Sequence, residues 1–284
     1  MPEAQNIEIR KKIEFGMHDG DVLTGDYYAS LGRGPYPALI ALHGGFWKRG
    51  AAEGYQYWGP YLAQRGYVLF AINYRLVQGG KNRYPAAVHD TRAALQFLCS
   101  RAGDLQVDPT RIGCIGDSAG AYLAALVALA GDTLPISDAY PRDPHADVNP
   151  HVKVVVGVYG IYDLLAQWHH DHQTRPCDNI TEAFVGKTPM ESKHLFYEAS
   201  PLTYTTIDKN RTAFLVVWGT NDDIVEPHGQ SEVFVTALKQ AGFFVRTVIM
   251  AGAPHFWMYD PIDEPTSHTG FLAPRLVRFL QAQL

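Results

Sequence analysis

The chain has 284 residues, of which 46% are hydrophobic and 12% aromatic, so it is long enough to bury the large core of an ordinary α/β domain. Its net charge is −5, with no long run of either sign, which argues against nucleic acid or an anionic membrane surface as a partner. No apolar stretch approaches the roughly 18 residues that a membrane span requires.

The amino-terminal segment and the cysteines indicate a cellular compartment. Residues 1–12 are polar and charged and lack the apolar run of a secretory signal. Three cysteines cannot all pair within the chain, and Cys99 and Cys114 lie in apolar surroundings. We therefore expect reduced, structural thiols and a cytoplasmic protein.

Strand-like and helix-like patterns alternate along the chain. Residues 7–15 and 22–29 predict an antiparallel edge with a turn near Asp19 and Gly20. Parallel strands joined by helices place ligand sites at the carboxyl ends of the strands, and the alternation predicts a central, mostly parallel sheet flanked by helices. The further strands are predicted at 38–42, 67–72, 111–115, 152–158, 213–218 and 244–250, and the helices at 54–65, 85–102, 119–130, 227–241 and 270–283.

Residues 161–206 interrupt this alternation with a stretch rich in His, Pro, Thr and aromatic residues. We interpret the stretch as a small partial cap on a single domain, 1–284, with Trp168 as a candidate substrate-binding residue, although packing against the main domain explains such aromatics as well. The cluster 169–172, with Cys177 nearby, fits no recognised zinc spacing and is interpreted as a solvated loop. No metal or cofactor is expected.

The stretch 116–120 reads Gly-Asp-Ser-Ala-Gly, which is the pattern of a nucleophile elbow. A short apolar run, 111–115, precedes it and reads as a buried strand, while residues 119–130 are nearly all good helix formers. Ser118 is therefore predicted on a tight strand-to-helix turn, with its hydroxyl at the mouth of a helix where developing negative charge is favoured.

A serine at its ordinary pKa is a poor nucleophile and needs a base and a group that orients the base. His255 follows the apolar run 243–250 in a Gly/Pro loop and is the predicted base. Asp222 and Asp223 follow the apolar run 213–217, and a carboxylate on that loop can orient the imidazole. Either aspartate also fits a simple turn.

An oxyanion site is predicted where His-Gly-Gly-Phe-Trp, residues 43–47, follows the apolar run 38–42. Two glycines after a strand let the backbone N–H groups point at a ligand rather than into a ladder. The predicted donors are the amides of Gly44, Gly45 and Ala119, and one such donor is typically worth about 2.7 to 4 kcal/mol in the transition state.

Together these motifs resemble the α/β-hydrolase superfamily, and within it the esterases and acetyl-esterases that include hormone-sensitive-lipase-like carboxylesterases. The resemblance runs from about residue 37 to the end of the chain and includes Asn-Tyr-Arg-Leu at 73–76, Tyr-Pro-Ala at 84–86 and Ala-Ser-Pro at 199–201. It implies the chain order nucleophile, acid, base, and favours Asp222 over Asp223. Phe46 and Trp47 stand where hormone-sensitive-lipase-like enzymes usually carry a further glycine, which is similar to the His-Gly-Gly-Tyr-Trp pattern of kynurenine formamidases.

The predicted activity is hydrolysis of a small or medium, apolar or aromatic carboxylic ester through an acyl-enzyme, with a formamidase or other amidase as the alternative. A non-catalytic hydrolase homologue that binds a ligand is the alternative from another class. The expected partner is a small-molecule ester or amide, and a homodimer is kept as an option. The candidate substrate-binding residues beside the predicted catalytic positions are Phe46, Trp47, Asp117, Trp168, Phe256 and Trp257, although packing explains the aromatic ones equally well.

Overall fold

The computed structural model describes residues 7–133, 136, 138–264 and 266–284. In these residues eight strands form one sheet in the order β1-β2-β4-β3-β5-β6-β7-β8. Strands β1, β2 and β4 pair antiparallel, and all other neighbours pair parallel, so the predicted mostly parallel sheet is confirmed. The strands are β1 Ile7–His18, β2 Asp21–Ser30, β3 Tyr36–Leu42, β4 Val68–Asn73, β5 Val107–Asp117, β6 Val154–Val158, β7 Ala213–Gly219 and β8 Val245–Met250.

The helices cover the two faces of the sheet and form two apolar cores. Residues of α2, α3 and α7 pack on one face, and residues of α1 and α8 pack on the other. The central strands β6 and β7 are buried along their whole length, which explains why they read as continuous apolar runs. The helices are α1 Trp58–Ala63, α2 Ala86–Ser100, α3 Ala119–Ala130, α4 Leu164–Thr174, α5 Ile180–Val185, α6 Pro189–Glu198, α7 Val233–Gln240 and α8 His268–Gln283.

The antiparallel edge turns where the sequence predicts it. Asp19 and Gly20 link β1 to β2 with φ angles of 53° and 90°. Positive φ at both central residues matches the right-handed twist of a two-residue hairpin, and Asp-Gly is a favoured pair there. No helix within the described ranges has the length and apolar character needed to cross a bilayer.

Two predicted helices differ from the structure. The helix expected at 54–65 is divided into a 3-10 turn, Ala52–Tyr55, and the short helix α1. Pro60 has no N–H and is tolerated only in the first turn of a helix, so α1 has to begin just before it. The helix expected at 227–241 begins as a wide π-helical turn, His228–Glu232, in which the buried Gln230 side chain accepts the N–H of Tyr162 at 2.7 Å.

The predicted strand at 111–115 is also longer in the structure. Strand β5 begins at Val107, and its pairing with β3 shifts register between Val107 and Ile112. Asp108 and Pro109 therefore lie in an irregularity within the strand rather than in a turn before it. Such an irregularity accommodates a proline, which cannot donate to the ladder.

Residues 161–206, the predicted cap, contain three helices between β6 and β7. Helix α4 begins at the N-cap Asp163, α5 at the N-cap Asn179, and α6 at a capping box formed by Thr188 and Glu191. The segment contains the stretch 169–172, which lies in α4 and not in a solvated loop, because a capped helix with buried residues on one face is more stable there.

The close approach of α3 to the end of β3 depends on Gly120. A Cβ atom on Gly120 would lie 1.8 Å from the carbonyl oxygen of Leu42, a backbone atom that cannot move without shifting the strand. We expect Gly120→Ala to lower the free energy of unfolding by about 3 kcal/mol, the upper part of the usual range for overpacking. Urea unfolding followed by circular dichroism measures the change.

The matched control is Gly103→Ala, since a Cβ atom at Gly103 meets nothing within 4 Å. We expect the urea midpoint of its unfolding to stay close to that of the wild type. Equal urea midpoints for Gly120→Ala and Gly103→Ala would contradict the packing argument.

Candidate active site

Ser118 lies on a strained turn between β5 and α3. Its φ and ψ angles are 52° and −118°, a region that non-glycine residues rarely adopt. Its N–H donates to the carbonyl of Val158 at 2.9 Å, which ties the turn to the neighbouring strand. Strain of this kind persists only where the surrounding structure enforces it, and it is frequent at reactive sites.

His255 and Asp222 meet Ser118 at the carboxyl ends of the strands. His255 Nε2 lies 3.0 Å from Ser118 Oγ, and His255 Nδ1 lies 2.7 Å from Asp222 Oδ2. Since Nδ1 faces a carboxylate, it carries the proton, and Nε2 accepts from the serine hydroxyl. Asp222, not the exposed Asp223, faces the imidazole. These side chains are 5% exposed or less, so the group is largely screened from water.

Tyr159 and Phe256 hold the imidazole from two sides. The ring centroid of His255 lies 4.3 Å from that of Tyr159 and 4.4 Å from that of Phe256. The Tyr159 hydroxyl accepts the N–H of Met258 at 3.1 Å, which anchors the loop that carries the histidine. Tyr159 was not predicted, because its only signal in the sequence is its position one residue after β6.

The predicted oxyanion donors do not all have free N–H groups. The Gly44 N–H points to the hydroxyl of Tyr259 at 2.7 Å and to Asp117 Oδ1 at 3.1 Å, so the prediction of Gly44 as a donor to substrate is wrong. Within the described residues, the N–H groups of Gly45 and Ala119 donate to no protein acceptor. Gly45 has a φ of 120°, and a Cβ atom there would lie 2.2 Å from the carbonyl oxygen of Arg49.

His43 supports this loop through its side chain. Its Nδ1 donates to the carbonyl of Gly44 at 2.8 Å, and its ring stacks on Tyr74 with centroids 4.2 Å apart. Burial lowers the pKa of His43 to about 4, so the imidazole is neutral at physiological pH.

Asp117 joins three segments of the site. Its Oδ1 accepts from Gly44 N at 3.1 Å, from the hydroxyl of Tyr259 at 2.9 Å and from the hydroxyl of Tyr55 at 3.2 Å. The carboxylate is buried, so its prediction as a substrate-binding residue is wrong, because its acceptor is already occupied by protein donors. Tyr55 and Tyr259 were not predicted, and only the position of Tyr259 four residues after His255 offered a signal.

The aromatic residues predicted to bind substrate divide into two groups. Trp47 is fully buried and stacks on Phe184 at 4.0 Å, and Trp257 and Trp168 are also buried, so all three pack inside the protein, and substrate contact by them stays a prediction. The side chains of Phe46 and Phe256 retain exposed surface and meet edge to face at 5.7 Å. They are the predicted aromatics that remain accessible, and Phe256 contacts the His255 ring.

The polar side chains of residues 169–172 serve other contacts. His170 Nε2 donates to the carbonyl of Asp223 at 2.9 Å, and the buried Asp171 accepts from neighbouring side chains. In the described part of the chain, no group of three or more His, Cys, Asp or Glu side chains is arranged to hold a metal ion.

A family model described as BD-FAE matches residues 26–238, which is most of the chain. The chain belongs to the BD-FAE family. Esterase LipQ of Mycobacterium tuberculosis is 29% identical over 77% of this chain and 49% of its own length. Ethyl acetate hydrolase of Pseudomonas putida is 26% identical over 78% of this chain and 66% of its own length. The chain of this BD-FAE member thus spans about half the length of LipQ.

Solved structures support the same fold. The butyrate-bound esterase Est2 from the Planctomycetes species Thermogutta terrifontis superimposes with a TM-score of 0.78 at 21% identity, covering 99% of this chain and 95% of Est2. Carboxyl esterase 2 of Tuber melanosporum has a TM-score of 0.77 at 22% identity, covering 100% of this chain and 89% of that one. The predicted α/β-hydrolase fold and the resemblance to carboxylesterases are confirmed. These esterase relatives give no support to the formamidase alternative.

In this BD-FAE chain the buried Asp117 makes stability depend on pH. Burial raises the pKa of Asp117 to about 7, although the hydrogen bonds from Tyr259, Gly44 and Tyr55 act in the opposite direction. Between the ordinary aspartate pKa and about 7, the unfolded chain releases this proton while the folded protein retains it. The contribution of Asp117 to stability therefore falls as pH rises through this window.

We expect Asp117→Asn to remove this pH-dependent loss of stability, because an asparagine keeps the Oδ1 acceptor and carries no titrating proton. Relative to the wild type, its free energy of unfolding should rise between about pH 5 and pH 8 by at most about 3 kcal/mol, because about two of the roughly three pKa units that separate the folded and unfolded states lie above pH 5. Urea titrations at the two pH values measure the difference. Asp21→Asn, at an exposed aspartate, is the control, and parallel pH profiles for the wild type and Asp117→Asn would contradict the argument.

Proposed function

We propose that this protein is a serine carboxylesterase that hydrolyses a small or medium ester with an apolar or aromatic group. The observation that carries the proposal is the continuous contact from Asp222 through His255 to Ser118, with distances of 2.7 and 3.0 Å. The esterase names of LipQ and ethyl acetate hydrolase support the same reaction class.

In the proposed reaction, Ser118 Oγ attacks the ester carbonyl carbon while His255 Nε2 takes the hydroxyl proton. Asp222 stays ionised and stabilises the imidazolium that forms. The negative charge on the carbonyl oxygen is stabilised by the N–H of Gly45, in the loop after β3, and by the N–H of Ala119, at the amino terminus of α3. His255 then returns its proton to the departing alcohol oxygen, and an acyl group remains on Ser118.

The acyl-enzyme is hydrolysed by the same groups in reverse roles. His255 takes a proton from a water molecule, and the resulting hydroxide adds to the acyl carbon. The second tetrahedral intermediate uses the same two N–H groups, and collapses when Ser118 Oγ leaves and regains the proton from His255. The products are a carboxylic acid and an alcohol, and the serine is restored.

The proposed substrate size and polarity follow from the mouth of the site. Phe256 packs against the ring of His255 and meets Phe46 edge to face, and Phe256 is 49% exposed, so an apolar or aromatic group can pack on these rings. Ser118 itself is 1% exposed, which favours a narrow acyl or alcohol group. We also propose that the chain forms one catalytic domain and that residues 161–206 act as its partial cap.

Replacing the nucleophile tests the proposal. We expect Ser118→Ala to fold and to lose turnover of 4-nitrophenyl acetate and butyrate by about 10⁴-fold or more, because no other group supplies the attacking oxygen. A fluorophosphonate probe should label the wild type on the peptide that contains residues 116–120 and should leave Ser118→Ala unlabelled.

The control is Ser100→Ala, at an exposed serine that ends α2, which should keep both turnover and labelling. Retained turnover in Ser118→Ala would remove Ser118 from the mechanism. A wild type that is neither labelled nor active on a panel of acyl esters would overturn the proposal and favour a non-catalytic ligand-binding role.

A further inference from the structure

The loop that carries Asp222 is held by helix α4 of the cap. His170 Nε2 donates to the carbonyl of Asp223 at 2.9 Å. Gln167 Nε2 donates to the carbonyl of Ile224 at 2.9 Å, and Arg175 Nη2, just beyond the end of α4, donates to the same carbonyl at 3.1 Å. We call Gln167, His170 and Arg175 the acid-loop clamp.

The clamp binds the same two peptide units whose N–H groups hold Asp222. The peptide between Asp223 and Ile224 accepts from His170 at its carbonyl, and its N–H donates to Asp222 Oδ1 at 3.0 Å. The next peptide accepts from Gln167 and Arg175 at its carbonyl, and its N–H, that of Val225, donates to Asp222 Oδ1 at 2.9 Å.

A peptide unit is planar, so fixing its carbonyl also fixes the direction of its N–H. A donor on the carbonyl polarises the unit as well, which strengthens the hydrogen bond that the N–H makes. Both effects act on Asp222 Oδ1, while its second oxygen faces His255. The clamp therefore acts on the orientation of the carboxylate without touching it.

Asp171 holds two members of the clamp in place. Its buried carboxylate accepts from Gln167 Nε2 at 2.9 Å and from Arg175 Nε at 3.1 Å, and it also binds the hydroxyl of Thr181 at 2.7 Å. Gln167, Asp171 and Arg175 are spaced four residues apart, so they lie along one side of the helix. The negative charge of Asp171 is balanced by the Arg175 guanidinium that reaches the acid loop.

We propose that Gln167, His170 and Arg175 are positioning residues that align Asp222 with His255, so that the catalytic geometry depends on the docking of α4. This inference rests on the proposed function, since it assigns Asp222 to the triad. The inference adds a second role for the proposed cap, because helix α4 sets the orientation of the Asp222 carboxylate.

The test combines Gln167→Met, which keeps the volume of the side chain and removes its donor, with His170→Ala. We expect each single variant to lower kcat on 4-nitrophenyl butyrate and the double variant to lower it by about 10- to 100-fold, with KM changed by less than about twofold, because the loss is one of alignment. His170→Gln restores an N–H donor and should recover most of the kcat lost in His170→Ala.

A spectroscopic readout separates positioning from general destabilisation. The proton between His255 Nδ1 and Asp222 gives a downfield resonance in the proton NMR spectrum, which should broaden or disappear in the double variant. His169→Ala changes the adjacent exposed histidine of α4, which makes no hydrogen bond to the acid loop in the described residues, and should leave kcat and the resonance unchanged.

A folded double variant with wild-type kcat and an unchanged resonance would overturn the proposal. If the double variant does not fold, the half-buried His170 carries the test alone, and equal kcat values for His170→Ala and His169→Ala would overturn it. A separate result, retained turnover in Ser118→Ala, would overturn the proposed function. The proton resonance would still report the alignment of Asp222 with His255 in that case, because it does not depend on activity.

Discussion

The contact between helix α3 and the end of strand β3 is the constraint on which the site depends. At Gly120 the helix backbone lies so close to the carbonyl of Leu42 that a Cβ atom would be 1.8 Å from its oxygen. This approach forces a sharp turn at Ser118, which explains its positive φ of 52°. It also places the loop after Leu42 beside the serine, so that the Ser118 hydroxyl and the N–H of Gly45 lie close together.

Next to Ser118, buried polar groups join segments that are far apart in the chain. Asp117 and the Tyr259 hydroxyl hold the Gly44 peptide, across 215 positions between Gly44 and Tyr259. A buried carboxylate with three donors is stable only while each donor stays in place, since an unpaired polar group in a low-dielectric interior is costly. The network therefore restricts the loop of residues 43–47 and the loop that carries His255 together.

Residues 161–206 contact both the Phe46 ring and the loop that carries Asp222. The Arg49 and Arg175 guanidinium groups lie 5.0 and 5.8 Å from the centre of the half-buried Phe46 ring, within reach of a cation–π contact. On the inner side, Phe184 of α5 stacks on Trp47, and the clamp residues of α4 reach the acid loop. A displacement of α4 or α5 would thus disturb the contacts of Phe46 and Trp47 and the hydrogen bonds to the loop that carries Asp222.

The sequence alone determined the alternation of strands and helices, the elbow at Ser118 and the candidate acid and base, because these features depend on local periodicity and short motifs. It did not distinguish Asp222 from Asp223 by chemistry, and it did not reveal that Trp47, Trp257 and Asp117 are buried. Only the tertiary structure decided which N–H groups are free and which side chains hold the acid loop. These outcomes depend on partners such as Tyr259 and Gln167, which are brought to the site by the packing of distant elements and follow no local pattern in the chain.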